Sequence, residues 1–248
     1  MNYKKLIFTA LVLILGTGNL LAHYLWIETK PVGKIGKSQE IKVFFGEYTY
    51  GLQEKVGEKS FDAVKKFKAW VVAPNGSKTE LVFEPTESSY LSSFTPESAG
   101  TYTVVLNNNE IDVIDYTKYD FGIFKTHYHS IAKITVKGGA ENTVAMNPEG
   151  ITIVDVSQKP LSQGEELKFQ IRYKGEPLAE QEVNVFVADQ WSKKLTTDEN
   201  GEVSLKLPWD TKFIVEVTKN EKVPGNYKGE DYEFIYHCAT YCVDVSKG

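Results

Sequence analysis

An all-β protein made of two immunoglobulin-like or transthyretin-like β-sandwich domains behind a cleaved signal peptide is the fold that this sequence predicts. Three features carry that expectation. Short runs of alternating apolar residues recur along the chain, Gly, Pro and Asn punctuate them, and almost no stretch has helical period. Residues 24–28 (YLWIE) form the first expected strand, and residues 40–45 alternate charged and apolar before reaching Gly46. Residues 67–73 (FKAWVVA) end in Pro74-Asn75-Gly76 and pair across that turn with residues 79–83, because Asn-Gly adopts the turn that hairpins favour. Residues 90–94 and 101–106 follow. Gly100-Thr101-Tyr102 resembles the entry to a late sandwich strand, where a tyrosine ties a corner. Residues 53–66 place Val56, Phe61 and Val64 at near-helical spacing, interrupted by Gly57, so a short helix or a long loop is expected there.

A second unit begins near Gly150. Its expected strands are 151–156, 166–173, 182–187, 193–196, 202–207, 211–217 and 234–245, separated by turns such as Lys174-Gly175-Glu176-Pro177 and Asp198-Glu199-Asn200-Gly201. Two glycines in residues 137–142 interrupt the β pattern and mark the boundary. The predicted organisation is a signal peptide over 1–22, an N-terminal sandwich over 23–140 and a C-terminal sandwich over 145–248.

The first residues combine Lys4 and Lys5 with an apolar run from Leu6 to Gly16, too short to span a bilayer, and a small residue at Ala22. Cleavage after Ala22 and release into a periplasm or other exported compartment are expected, with no further span for membrane insertion. The net charge of −5 argues against nucleic acid as a partner. The two cysteines, Cys238 and Cys242, would sit about 13 Å apart on a regular strand. A disulfide needs Cα atoms within about 7 Å, so either the strand breaks between them or they stay unpaired.

Four histidines supply the candidate chemistry: His23, His127, His129 and His237. Cleavage would give His23 a free α-amine beside its imidazole, a chelate suited to copper or nickel. His127 and His129 are i and i+2, so on a strand they face the same way, about 6.6 Å apart, and can converge on one ion. The competing reading makes them surface histidines flanking a buried Tyr128. His237 shares a strand face with Ala239, Tyr241 and Val243; it is either a core histidine with one hydrogen-bond partner or a fourth member of the site. Cys238 falls on the opposite face of that strand. Glu47 is a weaker carboxylate candidate. Hydrolase, P-loop and dinucleotide motifs are missing from the sequence, so enzyme function has no positive support.

The signal peptide followed by Ala22-His23-Tyr24-Leu25-Trp26-Ile27-Glu28 resembles the mature start of an exported domain-of-unknown-function family grouped with periplasmic components of nickel and cobalt uptake, the NikM-like proteins. Gly46-Glu47-Tyr48, residues 70–76 and residues 99–102 extend the likeness. In the second half, residues 173–179 and 196–201 resemble carboxypeptidase-regulatory and transthyretin-like sandwiches. The resemblance implies a β protein outside the cytoplasm that handles a divalent ion, with a membrane transporter component as a possible partner. His23 matches the family start directly; Cys238 and Cys242 depart from it.

Together these features predict a soluble, exported protein that binds nickel, cobalt or copper through His23, His127, His129 and His237, for uptake or delivery. A non-metal adhesion, carbohydrate- or protein-binding module is the first alternative, and a copper oxidase with an N-terminal histidine brace the second.

Overall fold

The computed structural model describes residues 23–138, 147–157 and 161–245. Sixteen strands of three or more residues are numbered here in chain order, leaving two-residue bridges unnumbered. They are β1 (Tyr24–Thr29), β2 (Gln39–Glu47), β3 (Lys68–Val72), β4 (Lys78–Glu80), β5 (Tyr90–Phe94), β6 (Gly100–Asn108), β7 (Ile123–Val136) and β8 (Ile151–Asp155). The rest are β9 (Glu166–Tyr173), β10 (Glu182–Val187), β11 (Trp191–Thr196), β12 (Glu202–Lys206), β13 (Lys212–Glu221), β14 (Gly225–Tyr227), β15 (Glu230–Tyr232) and β16 (Phe234–Asp244). The helix expected within residues 53–66 is a single turn, α1 (Lys59–Asp62), which buries Phe61. The hairpin across Asn75-Gly76 forms as expected, with Val71 opposite Thr79.

Three larger sheets and the two-stranded ribbon β14-β15 make up the described residues. The largest runs β11-β10-β13-β16-β7-β6-β3-β4 and takes strands from both halves of the sequence. On one face lies the sheet built on β1, β2 and β5; on the other lies the sheet in which β9 is flanked by β8 and β12. Strand alternation explains this layering, since successive side chains of β7 and β16 point to opposite faces. Phe124, Tyr128, Ala132, Phe234, Tyr236, Cys238 and Cys242 join the core beneath β1 and β2. Ile131, Ala239, Tyr241 and Val243 join the core beneath β8 and β9. Both β7 and β16 are covered on both faces, which is the burial that parallel pairs require.

The division expected at residues 140–145 falls among residues outside those described, and the strands on either side of it meet in one sheet. β7 and β16 pair in parallel over nine positions, from Phe124 opposite Phe234 to Ala132 opposite Cys242. Hydroxyls stitch β1 to this pair: Thr240 Oγ1 donates to the Leu25 carbonyl at 2.8 Å, and the Ile27 amide donates to Ser130 Oγ at 3.1 Å. The tyrosine corner is present, with Tyr102 Oη 3.1 Å from the Ser98 carbonyl that accepts its proton, and the Ser98 amide donating back to it at 3.0 Å.

Cys238 and Cys242 are both free and buried on the unbroken strand β16. The strand does not break between them, which resolves the choice left open by the sequence in favour of unpaired thiols. Burial raises both thiol pKa values, with Glu216 adding to the effect at Cys238.

Candidate metal centre

The parallel register sets His127 directly opposite His237, and alternation turns His127, His129 and His237 to the same face of the sheet. The next residue opposite β7 on that face is Ala239, facing His129. Its small side chain leaves the room that three imidazoles need. One nitrogen from each of the three rings lies within 4.8 Å of the others. His127 and His237 meet edge to face with centroids 5.1 Å apart, and the His129 and His237 rings stack nearly parallel at 6.1 Å. The pair sits inside β7, a central 14-residue strand that begins at Ile123.

Burial is nearly complete. His237 is 0 % exposed, His129 6 % and His127 9 %. Nδ1 of His127, Nε2 of His129 and Nδ1 of His237 are buried with no hydrogen-bond partner. Buried polar atoms in native proteins are normally satisfied, and an unsatisfied cluster calls for an explanation such as a bound ion. On His129 and His237 the opposite nitrogen is engaged. His237 Nε2–H donates to Glu221 Oε2 at 3.1 Å, and in the ligating tautomer His129 Nδ1–H donates to Asn107 Oδ1 at 2.9 Å. Asn147 Nδ2 lies 2.8 Å from the same His129 nitrogen. An imidazole with one nitrogen held by a carboxylate or amide presents the lone pair of the other in a fixed direction, which is the outer-shell pattern of histidine metal sites.

The electrostatics keep these lone pairs free. Burial, with the neighbouring His237, pushes His127 down to about 4, and burial with His237 and His127 pushes His129 down to about 3. Burial also lowers His237, against the pull of Glu221. All three imidazoles are therefore neutral at pH 7. Burial opposes the charge of the Glu221 carboxylate, but hydrogen bonds from Lys174 and His237 outweigh it and hold its pKa at about 2.

Gly150 closes the site from the β8 side. A Cβ on this residue would stand 2.7 Å from His129 Nε2, 2.8 Å from Asn147 Nδ2 and 3.0 Å from His237 Nδ1. Two of those atoms are the unpartnered nitrogens. The missing side chain keeps open the space on which the lone pairs converge. Sequence reasoning overlooked Gly150, Glu221, Asn107 and Asn147; a glycine at the start of an expected strand was the available signal for the first, and long-range pairing hides the others.

His23 does not join the cluster. The Tyr128 hydroxyl, on the opposite face of β7 from His127 and His129, donates to the His23 carbonyl at 2.9 Å. His23 thus sits on the β1–β2 side of the large sheet. Its ring, 37 % exposed in side chain, packs on Phe45 and bonds Glu54 Oε1 at 2.8 Å. The expected convergence of all four histidines is corrected to a cluster of three, because the sheet itself separates His23 from the rest. Glu47 also lies on the His23 side, where burial raises its pKa and His23 opposes that rise.

Three solved structures similar to this chain are all distant. The CARDB domain of the PF1109 protein from Pyrococcus furiosus, in complex with di-metal ions, has 14 % identity and a TM-score of 0.26, covering 46 % of this chain and 91 % of that one. A DUF4785 family protein from Legionella pneumophila has 12 % identity and a TM-score of 0.32, over 81 % of this chain and 53 % of that one. Escherichia coli alpha-2-macroglobulin activated by porcine elastase has 13 % identity and a TM-score of 0.28; the match covers 90 % of this chain but a fifth, 20 %, of that one. No curated protein matches the sequence. The model of one family, described as a domain of unknown function (DUF4198), matches residues 20–221, most of the chain, and the protein belongs to that family.

Proposed function

We propose that this protein binds a single divalent transition-metal ion through His127 Nδ1, His129 Nε2 and His237 Nδ1. The carrying observation is a cluster of three buried imidazoles that bring one nitrogen each within 4.8 Å of the others, each ring also holding one buried nitrogen without a hydrogen-bond partner. The donor set fits the ion. Three neutral nitrogens suit nickel, cobalt, copper or zinc and do not suit the hard cations, which prefer oxygen. A tetrahedral ion with bonds of about 2.1 Å needs ligand atoms about 3.4 Å apart, so separations of up to 4.8 Å close by at most about 1.4 Å through side-chain rotation. Glu221 and Asn107 would hold the rings in the ligating tautomer.

The role we assign is capture or delivery of nickel, cobalt or copper outside the cytoplasm, with a membrane transporter component as the recipient. The signal-peptide pattern of residues 1–22 and the likeness of residues 22–28 to NikM-like proteins support that role. His23 lies outside this ion's ligand set.

Calorimetric titration of the metal-free protein with nickel, cobalt, copper and zinc salts tests the site. One ion per chain, lost in His129→Ala and kept in His23→Ala, is the expected result. Unchanged stoichiometry and affinity in a variant lacking His127, His129 and His237 would falsify the assignment.

A further inference from the structure

The three-histidine group contains no carboxylate and no thiolate among the described residues that could cancel the charge of a divalent ion. Three protein ligands also leave one position of a tetrahedral ion open, and such positions are filled from solution. The charged side chains acting on His237 are Glu221, Lys174 and Lys219, two cations against one anion. Lys219 is the cross-strand neighbour of His237 on β13, so alternation places both on the same sheet face. Lys174 follows the last residue of β9, Tyr173, whose ring meets His237 edge-on at 5.5 Å. Both lysine Nζ atoms lie over that same ring, Lys174 at 5.3 Å and Lys219 at 5.2 Å from its centroid. Glu221 is the carboxylate bonded to His237, and it already forms an ion pair with Lys174. A divalent ion placed among these groups would leave a buried excess of positive charge, which burial makes expensive unless an anion accompanies it.

We propose that the fourth ligand of the bound ion is a small monovalent anion taken from solution, attracted by Lys174 and Lys219. This rests on the metal site proposed above. The anion would lower the buried charge from +2 to +1, so the site would bind metal more tightly when such an anion is present. Lys219 is a positioning charge and touches no metal ligand through a bond of its own; its contribution is the field at the open position.

Cobalt(II) is the probe, because its visible absorption reports the ligands around it. Calorimetry first establishes whether cobalt, nickel, copper or zinc binds at all; failure of all four overturns the metal reading itself, and failure of cobalt alone overturns the anion proposal as stated for it. Cobalt-loaded protein is then titrated with sodium azide at constant ionic strength. A saturable shift of the visible bands, with azide affinity at least about threefold weaker in Lys219→Ala and weaker again in Lys219→Glu, supports the proposal; threefold is the scale of one screened charge. Cobalt binding with bands indifferent to azide overturns the anion proposal alone. So does azide binding of equal strength in Lys219→Glu and the unaltered protein. Circular dichroism and thermal melting of each variant verify that it is folded.

Discussion

His127 and His237 stand directly opposite one another on adjacent parallel strands, their rings edge to face with centroids 5.1 Å apart. That one register position makes the site: shifting β16 by a single residue would turn His237 into the other core and bring Cys238 into its place.

Removing any of the three ligands is expected to weaken metal binding by at least about 100-fold, beyond the 10- to 100-fold typical of losing an outer-shell partner. Competition titration against a chromophoric chelator measures it. His23→Ala, on the far side of the sheet, is expected to change the same affinity less than about twofold by the additivity of distant sites. A large loss in His23→Ala would return that residue to the ligand set.

Gly150→Ala is expected to abolish metal binding in a protein that still folds. The added methyl would crowd His129 Nε2 at 2.7 Å and His237 Nδ1 at 3.0 Å. Tight binding by this variant would show that the ion does not lie on the Gly150 side of the rings.

Glu221 fixes the tautomer of His237, so Glu221→Ala is expected to lose about 10- to 100-fold in metal affinity and Glu221→Gln less, because the amide oxygen still accepts from Nε2–H. Equal losses in the two variants would mean that charge, and not the hydrogen bond, is what Glu221 supplies.

The metal-free protein is expected to lose stability as pH falls below the unfolded histidine value near 6.5. The folded values of about 4 for His127 and about 3 for His129 are depressed, so between these limits the unfolded chain takes up protons that the folded chain refuses. Their contribution is fully present above about pH 6.5 and is lost toward pH 4, at up to roughly 1.4 kcal/mol per pH unit for each histidine. Urea midpoints at several pH values, compared with His129→Gln, isolate the effect. Identical slopes in the two proteins would mean that His129 titrates normally.

Cys238 and Cys242 are expected to resist a thiol reagent in the native state and to react on addition of denaturant, since both are buried and both thiolates are disfavoured. Replacing both by Ser is expected to leave metal affinity unchanged, because they face the core opposite to the histidines.

The sequence made the strands, the Asn75-Gly76 hairpin and the Tyr102 corner legible, because each depends on local chemistry: alternation, turn preference and one nearby hydroxyl bond. The facing of His127, His129 and His237 was also legible, since period two needs no partner to be counted. Which strand lies beside which was not. Nothing in residues 123–136 states that residues 234–244 will pair with them in parallel, and so Glu221, Asn107 and Gly150 stayed hidden. His23 misled for the same reason. Its chemistry invited a ligand role, but the layer that contains it is fixed by the Tyr128 hydroxyl and by β1 packing on the far face.

The parallel pairing of β7 with β16 also sets a time at which metal can be held. Ser130 and Thr240, bonded to each other beside the site, are 110 residues apart in sequence, and His127 and His237 meet through the same pairing. A chain still being made, cut short before its last strand, or not yet collapsed carries an i, i+2 histidine pair and nothing more. Contacts of such long sequence separation form late, after loop-closure entropy has been overcome. Metal capture through all three histidines, as proposed, would therefore require the finished fold.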